Sequence, residues 1–266
     1  MRKLLFIPAA FALLFLYGCG SDNSNGKIKL EFNPDAAKSV KVNYQFSVNQ
    51  VTSGDITTFD LLASGKAAVD EGGRVIMDLK NDKISMTGTI QGNKVSGSAS
   101  GPDSLTGDAK LVALAIFTLE GKSFRSTYDK NFNKRSEVQM DGDALIDSSE
   151  NKIQFLLRYP NHDVAVGDSW KKEIVVKTGN KMNCNATYTL KEVKENIATI
   201  SIEGQLFGEG DKFGNEFSME GKLTGTFTVD IQTGWPKTAD THQEFTLKMG
   251  GKETPIKYDI NCNIEQ

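Results

Sequence analysis

The chain has 266 residues, of which 38% are hydrophobic and 24% charged, and its formal net charge is −3. That composition suits a folded core and excludes a chain disordered throughout. The slight acidic excess, with no basic patch, excludes nucleic acid as a partner.

In chain order, Arg2 and Lys3 come first, then an apolar run from Leu4 to Leu16, then Tyr17-Gly18-Cys19. A basic start, a short apolar stretch and small residues at its end read as a secretory signal over residues 1–18. The run is shorter than the ~20 residues needed to span a bilayer, and Pro8 interrupts it. Leu16, Gly18 and Cys19 resemble a bacterial lipobox, with Tyr17 bulkier than is usual there. The resemblance implies a diacylglycerol on the Cys19 thiol and cleavage before it. Residues 19–27 then form a lipidated tether to the membrane. Acyl chains contribute about 0.8 kcal/mol per buried CH₂, so several together hold firmly. The expected address is the outer membrane of a Gram-negative bacterium.

Residues 28–266 read as a single β-rich domain. Val40, Val42, Tyr44, Phe46 and Val48 alternate with polar residues, as do Phe227, Val229 and Ile231, and Phe245, Leu247 and Met249. Such alternation gives strands with one buried and one wet face. Glu71-Gly72-Gly73, Gln91-Gly92-Asn93 and Lys177 to Asn180 supply turns between them. The predicted fold is mainly β (α+β): a long, curved antiparallel meander or open barrel with one or two short covering helices. Leu105 to Leu119 and Ser149 to Arg158 are the candidate helices. The stretches at 121–134 and 225–237 share a rhythm of Gly, Phe, alternating Thr or Ser, and Asp. That rhythm raises two pseudo-repeats, about 28–148 and 149–266.

Two cysteines remain besides Cys19. Cys184 and Cys262 each fall on the apolar face of an alternating strand and each sit between two asparagines. In an exported protein an even pair suggests a disulfide, worth about 4 kcal/mol in the chain-entropy model. Two buried free thiols are the alternative. Neither cysteine has a metal-ligand neighbour at suitable spacing.

The most distinctive segment is "YPNHDVAVGDSWKKE", starting at Tyr159. With "LEGKSFRSTYD" before it and "ATYTLKEVKENIATISIEG" and "GKLTGTFTVDIQTGWPKTAD" after it, it resembles an uncharacterised family of exported bacterial lipoproteins, a domain of unknown function. The resemblance covers roughly Leu30 to Met249. It departs at Asn131 to Lys134, where the family pattern places a turn glycine followed by valine. The family has no established activity, so no catalytic role transfers. Physically, Pro160 stops a helix, Gly167 suits a positive-φ turn, Asp168 suits an Asx-turn, and Trp170 suits a core anchor with a bonded N–H.

Residues for chemistry are sparse. Ser169, His162 and Asp240 make a triad only on paper, and there is no Gly-x-Ser-x-Gly elbow. "GEGDKFGNE", from Gly208, lacks the calcium ligand ladder and reads as an acidic hairpin loop. Asp103-Ser104-Leu105 resembles an O-glycan acceptor tripeptide and equally a helix cap. The expectation is therefore no enzyme, no catalytic residue, no metal and no cofactor. An apolar or lipid-like ligand held in a cavity lined by Tyr44, Phe46, Phe124, Tyr188, Phe227 and Tyr258 is the first functional reading. The alternative is a structural lipoprotein that docks on another envelope protein, through an exposed patch near Trp235 and Pro236.

Overall fold

The computed structural model describes residues 26–35, 38–99, 113–114, 116–140, 153–177, 181–212 and 215–266, together with Lys110. The signal over 1–18, Cys19, most of the tether and Asp103-Ser104-Leu105 lie outside the described residues.

Among the described residues, twelve antiparallel strands form one open sheet. They are β1 (Ser39–Gln50), β2 (Asp55–Val69), β3 (Val75–Ile90), β4 (Asn93–Ser98), β5 (Ser123–Tyr128), β6 (Lys134–Gln139), β7 (Ser169–Lys177), β8 (Lys181–Lys194), β9 (Ile197–Lys212), β10 (Asn215–Asp230), β11 (Pro236–Met249) and β12 (Lys252–Glu265). Their order across the sheet is β6-β5-β3-β2-β1-β12-β11-β10-β9-β8-β7, with β4 paired to the far half of β3. The first and last strands are therefore central neighbours, and the edges are β6 and β7. Sequence alternation explains the strands: along β1, Val40, Val42 and Tyr44 are buried while Ser39, Lys41 and Asn43 are exposed. Most hairpins are tight. Gly250 and Gly251 join β11 to β12 with φ of 57° and 76°, the two positive-φ positions of a type I′ turn.

The sheet curls strongly. Register shifts interrupt it at Leu62/Ala63, Thr127/Tyr128, Leu190/Glu192 and Thr228/Val229, and such bulges bend a strand and increase its twist. The curl brings the two edges to a common cleft, lined by Lys134 to Glu137 of β6 and Glu173 to Val175 of β7. The edges do not pair. Chain from Ile153 to Pro160 lies between them as a strap.

The strap replaces one of the expected helices. Of 149–158, residues 153–158 are described and have no regular secondary structure. Ile153, Phe155, Leu156 and Leu157 are all buried there, on more than one side, as a segment threaded through a core requires. In the other candidate, Lys110, Ala113, Leu114, Ile116 and Phe117 have helical geometry.

Candidate functional site

The inner face of the curled sheet has two unlike ends. At the end carrying the β5–β6 and β10–β11 turns, the chain fills the space itself. Residues 28–33 and the strap cross it. Ile28 and Val164 exchange backbone bonds of 2.8 and 2.9 Å, Phe32 N–H donates to Lys130 O, and Asn33 N–H donates to Thr233 O. Phe32 packs on Phe132, Trp235 and Tyr128 with ring centroids 4.4, 4.9 and 6.0 Å apart. Trp235 is only 2% exposed and Pro236 is buried, which overturns the docking patch expected there. The cause is Gly234: a Cβ on it would lie 1.9 Å from Glu31 O. The bare turn lets residues 31–32 press close, and they cover the indole.

The strap is pinned by its backbone. Tyr188 Oη donates to Leu156 O, Trp170 Nε1 donates to Arg158 O at 2.8 Å, and the Gln154 backbone N–H faces the Tyr44 hydroxyl. Tyr159 N–H donates to Asn131 O, Asn131 Nδ2 donates to Pro160 O at 2.6 Å, and Tyr159 Oη donates to Gly234 O at 2.6 Å. Burial pushes the hydroxyls of Tyr44, Tyr159 and Tyr188 well above the ordinary tyrosine range, so they stay neutral. Four of the six predicted cavity residues, Tyr44, Phe124, Tyr188 and Phe227, are at most 3% exposed. Tyr44 and Tyr188 hold the chain's own strap.

The motif after the strap starts β7. Gly167 has φ 96° and its N–H donates to Leu190 O at 2.8 Å. Asp168 Oδ2 accepts from Ala165 N–H at 2.9 Å. Trp170 is 5% exposed and stacks on Tyr188, centroids 5.6 Å apart. Phe132 takes φ 63°, a left-handed conformation that favours glycine. Its fully buried ring, held by Phe32, Tyr128, Phe155 and Tyr159, offsets the backbone strain.

At the other end, toward the β11–β12 turn, inner-face residues are only half-buried: Phe46, Val48, Phe217, Leu247, Ile256 and Tyr258. They continue the same inward rows. Phe46 pairs with Ile260 and Phe59, and Val48 pairs with Tyr258, which pairs with Gln243 of β11. Phe46 stacks on Phe59 at 4.8 Å and Phe245 on Tyr258 at 5.6 Å. Among these rings Gln243 is fully buried, and neither its Nε2 nor its Oε1 has a hydrogen-bond partner; Thr241 Oγ1, two residues along the same face, is also buried and unbonded. A buried orphan polar group costs about 1–3 kcal/mol. Sequence reasoning missed both residues. The signal was there: on β11 the inward positions run Ala239, Thr241, Gln243, Phe245, Leu247, with polar residues where the alternation calls for apolar ones.

The cysteines do not meet. Cys184 and Cys262 are both buried free thiols, with pKa values pushed up by burial to about 11 and about 12. They lie on β8 and β12, with β9, β10 and β11 between them. Four strand spacings are roughly 19 Å along the sheet, against a Cα separation of about 7 Å at most for a bridge. Sharing a face did not mean sharing a neighbourhood, and the disulfide is corrected to two free thiols.

The paper triad is not assembled. Ser169 Oγ bonds Thr189 Oγ1 at 2.8 Å, His162 sits in an exposed turn, and Asp240 faces His242. His242 Nδ1 lies 2.6 Å from Asp259 Oδ1 on the outer face, and that hydrogen bond raises its pKa above the ordinary histidine value. Among the described residues no three His, Cys, Asp or Glu side chains group to hold a metal ion. Residues 208–212 of β9 pair with residues 215–219 of β10.

The fold defines an open, curled antiparallel sheet, plugged by its own chain at one end of its inner face and, among the described residues, only half-covered at the other. Over residues 35–236 the sequence matches a family of unknown function, DUF6263. The chain belongs to that family. No curated protein matches it.

Proposed function

We propose that this chain is a non-enzymatic envelope lipoprotein that binds an apolar or lipid-like ligand on the bare end of its inner face. In this reading it is exported and held at the outer membrane of a Gram-negative bacterium through acyl chains on Cys19. One observation carries the binding role: the apolar inner face is longer than the plug that covers it, and it leaves Phe46, Leu247, Ile256 and Tyr258 half-buried. Apolar surface that is kept concave and incompletely covered is the usual setting of a ligand site. The docking alternative has lost the Trp235–Pro236 patch on which it stood.

The test is native and denaturing mass spectrometry of the full chain carrying Cys19→Ser, exported in bacteria and purified without detergent. A stoichiometric adduct of lipid size that disappears on denaturation is expected. The adduct should also be lost from Phe46→Asp. A bare chain that likewise takes up no long-chain alcohol overturns the reading.

A further inference from the structure

The cleft where the two sheet edges approach is distinct from the bare end of the inner face. We propose that it binds an anionic group, a carboxylate or phosphate, carried on an apolar body, with the Arg158 guanidinium as counter-ion. The cleft holds about 430 Å³, within the range of roughly 300–1,000 Å³ typical of small-molecule sites. Ile153, Phe155 and Leu156 of the strap and Ile174 of β7 give it a buried apolar wall.

Its charges pair off except for Glu173 and Arg158. Lys134 pairs with Glu137, which also accepts from Ser126 Oγ at 2.8 Å, and Arg135 pairs with Asp129 at 2.6 Å. Glu173 is exposed and belongs to the outward set of β7, because its neighbour Ile174 faces inward beside Cys184. Arg158 remains. Its Nη1 donates to Phe155 O at 2.7 Å and Leu157 O at 2.6 Å, and no carboxylate stands within ion-pair distance among the described residues. Burial is the main cause that lowers its pKa, so the cation is poorly solvated. Among the described residues neither Nε nor Nη2 has a hydrogen-bond partner, while the two carbonyls fix the plane of the group. A planar guanidinium held in this way offers two parallel N–H donors that match a carboxylate or phosphate. An unpaired charge in a partly dry site is costly and gains most from a counter-ion.

The apolar body would pack on the cleft's own wall of Ile153, Phe155, Leu156 and Ile174; that it is lipid-like rests on the reading above, whereas the anion contact does not. Calorimetry on the full-chain Cys19→Ser variant separates the two, with dodecanoate, dodecanol and inorganic phosphate as probes. Dodecanoate should bind about tenfold or more tighter than dodecanol, as a charge-assisted hydrogen-bond pair requires. Arg158→Gln should abolish that difference and leave dodecanol affinity unchanged, with circular dichroism confirming the fold. Arg158→Lys keeps the charge and loses the fork, and should lose several-fold in dodecanoate affinity alone; it decides the matter if the glutamine variant does not fold. Equal binding of dodecanoate and dodecanol, or discrimination that survives both substitutions, overturns the anion site and leaves the lipid-like reading intact. Phosphate alone binding as tightly as dodecanoate overturns the apolar body and keeps the anion contact. Binding of none of the three overturns both.

Discussion

The two ends of the inner face are built from the same strands and the same kind of alternation, yet they differ in how polar groups are treated. At the plugged end, Tyr188, Trp170 and Tyr159 each reach a backbone carbonyl, so large aromatic residues are buried with their polar atoms bonded. At the other end, Gln243 and Thr241 are buried with polar atoms unbonded, and Phe46 and Tyr258 on the same face are half-buried. The plugged end gains stability from every contact. The bare end gives some up. Sites where local rules of burial are broken without compensation inside the chain are where function is expected to reside.

Substitutions can sharpen that contrast. The largest effect belongs to the plugged end: Trp235→Ala should cost about 3–5 kcal/mol in denaturant unfolding, the usual range for deleting a buried aromatic side chain. Phe46→Ala should cost clearly less, because its ring is already half in water. Equal losses would erase the distinction between the ends. Next comes Gln243→Leu, a near-isosteric change that removes two orphan polar atoms and should stabilise the chain by about 1–3 kcal/mol. A loss of stability would show that the amide has a partner after all, such as an ordered water. Tyr188→Phe strips one bond from the strap and should cost about 1 kcal/mol, with the Trp170 fluorescence shifting as its neighbour loosens.

The smallest effects lie on the outer face and at the thiols. His242 has its folded pKa raised by Asp259 and then Asp240. Its contribution is therefore fully present below the unfolded value of about 6.5 and is lost as pH rises through the higher folded value. NMR titration of His242 should show that raised midpoint, and Asp259→Asn should bring it down. Both groups are about half exposed, so the stability change should be slight. Reduction should change nothing: denaturing mass should show Cys184 and Cys262 without a 2 Da deficit, and reductant should leave the unfolding midpoint in place.

Several features were legible because they are local. Strand alternation depends only on the two-residue pleat, so Val40 to Tyr44 and Phe227 to Val229 could be assigned to a buried face directly. Turn residues carry their own conformational preference, as Gln91-Gly92, with φ of 52° and 76°, and the Gly167-Asp168 step show. The strap was not legible. Ile153 to Leu157 has an apolar spacing that suits a helix, and only the docking of Tyr44, Tyr188 and Trp170 onto its backbone makes an extended path favourable.

By itself, then, the sequence determined an antiparallel β protein with an amphipathic pleat and the family to which it belongs. Tertiary structure decided everything that depends on which strands become neighbours. Pairing β1 with β12 placed the first and last described strands at the centre and left β6 and β7 as edges. That order separated two cysteines that share a face, buried Trp235 beneath Phe32, and set Arg158 in a cleft between edges that never pair. Alternation fixes the face on which a side chain stands, because that is a property of one strand. The partner across the core depends on strand order and curl, which arise only when the whole sheet curls around the strap.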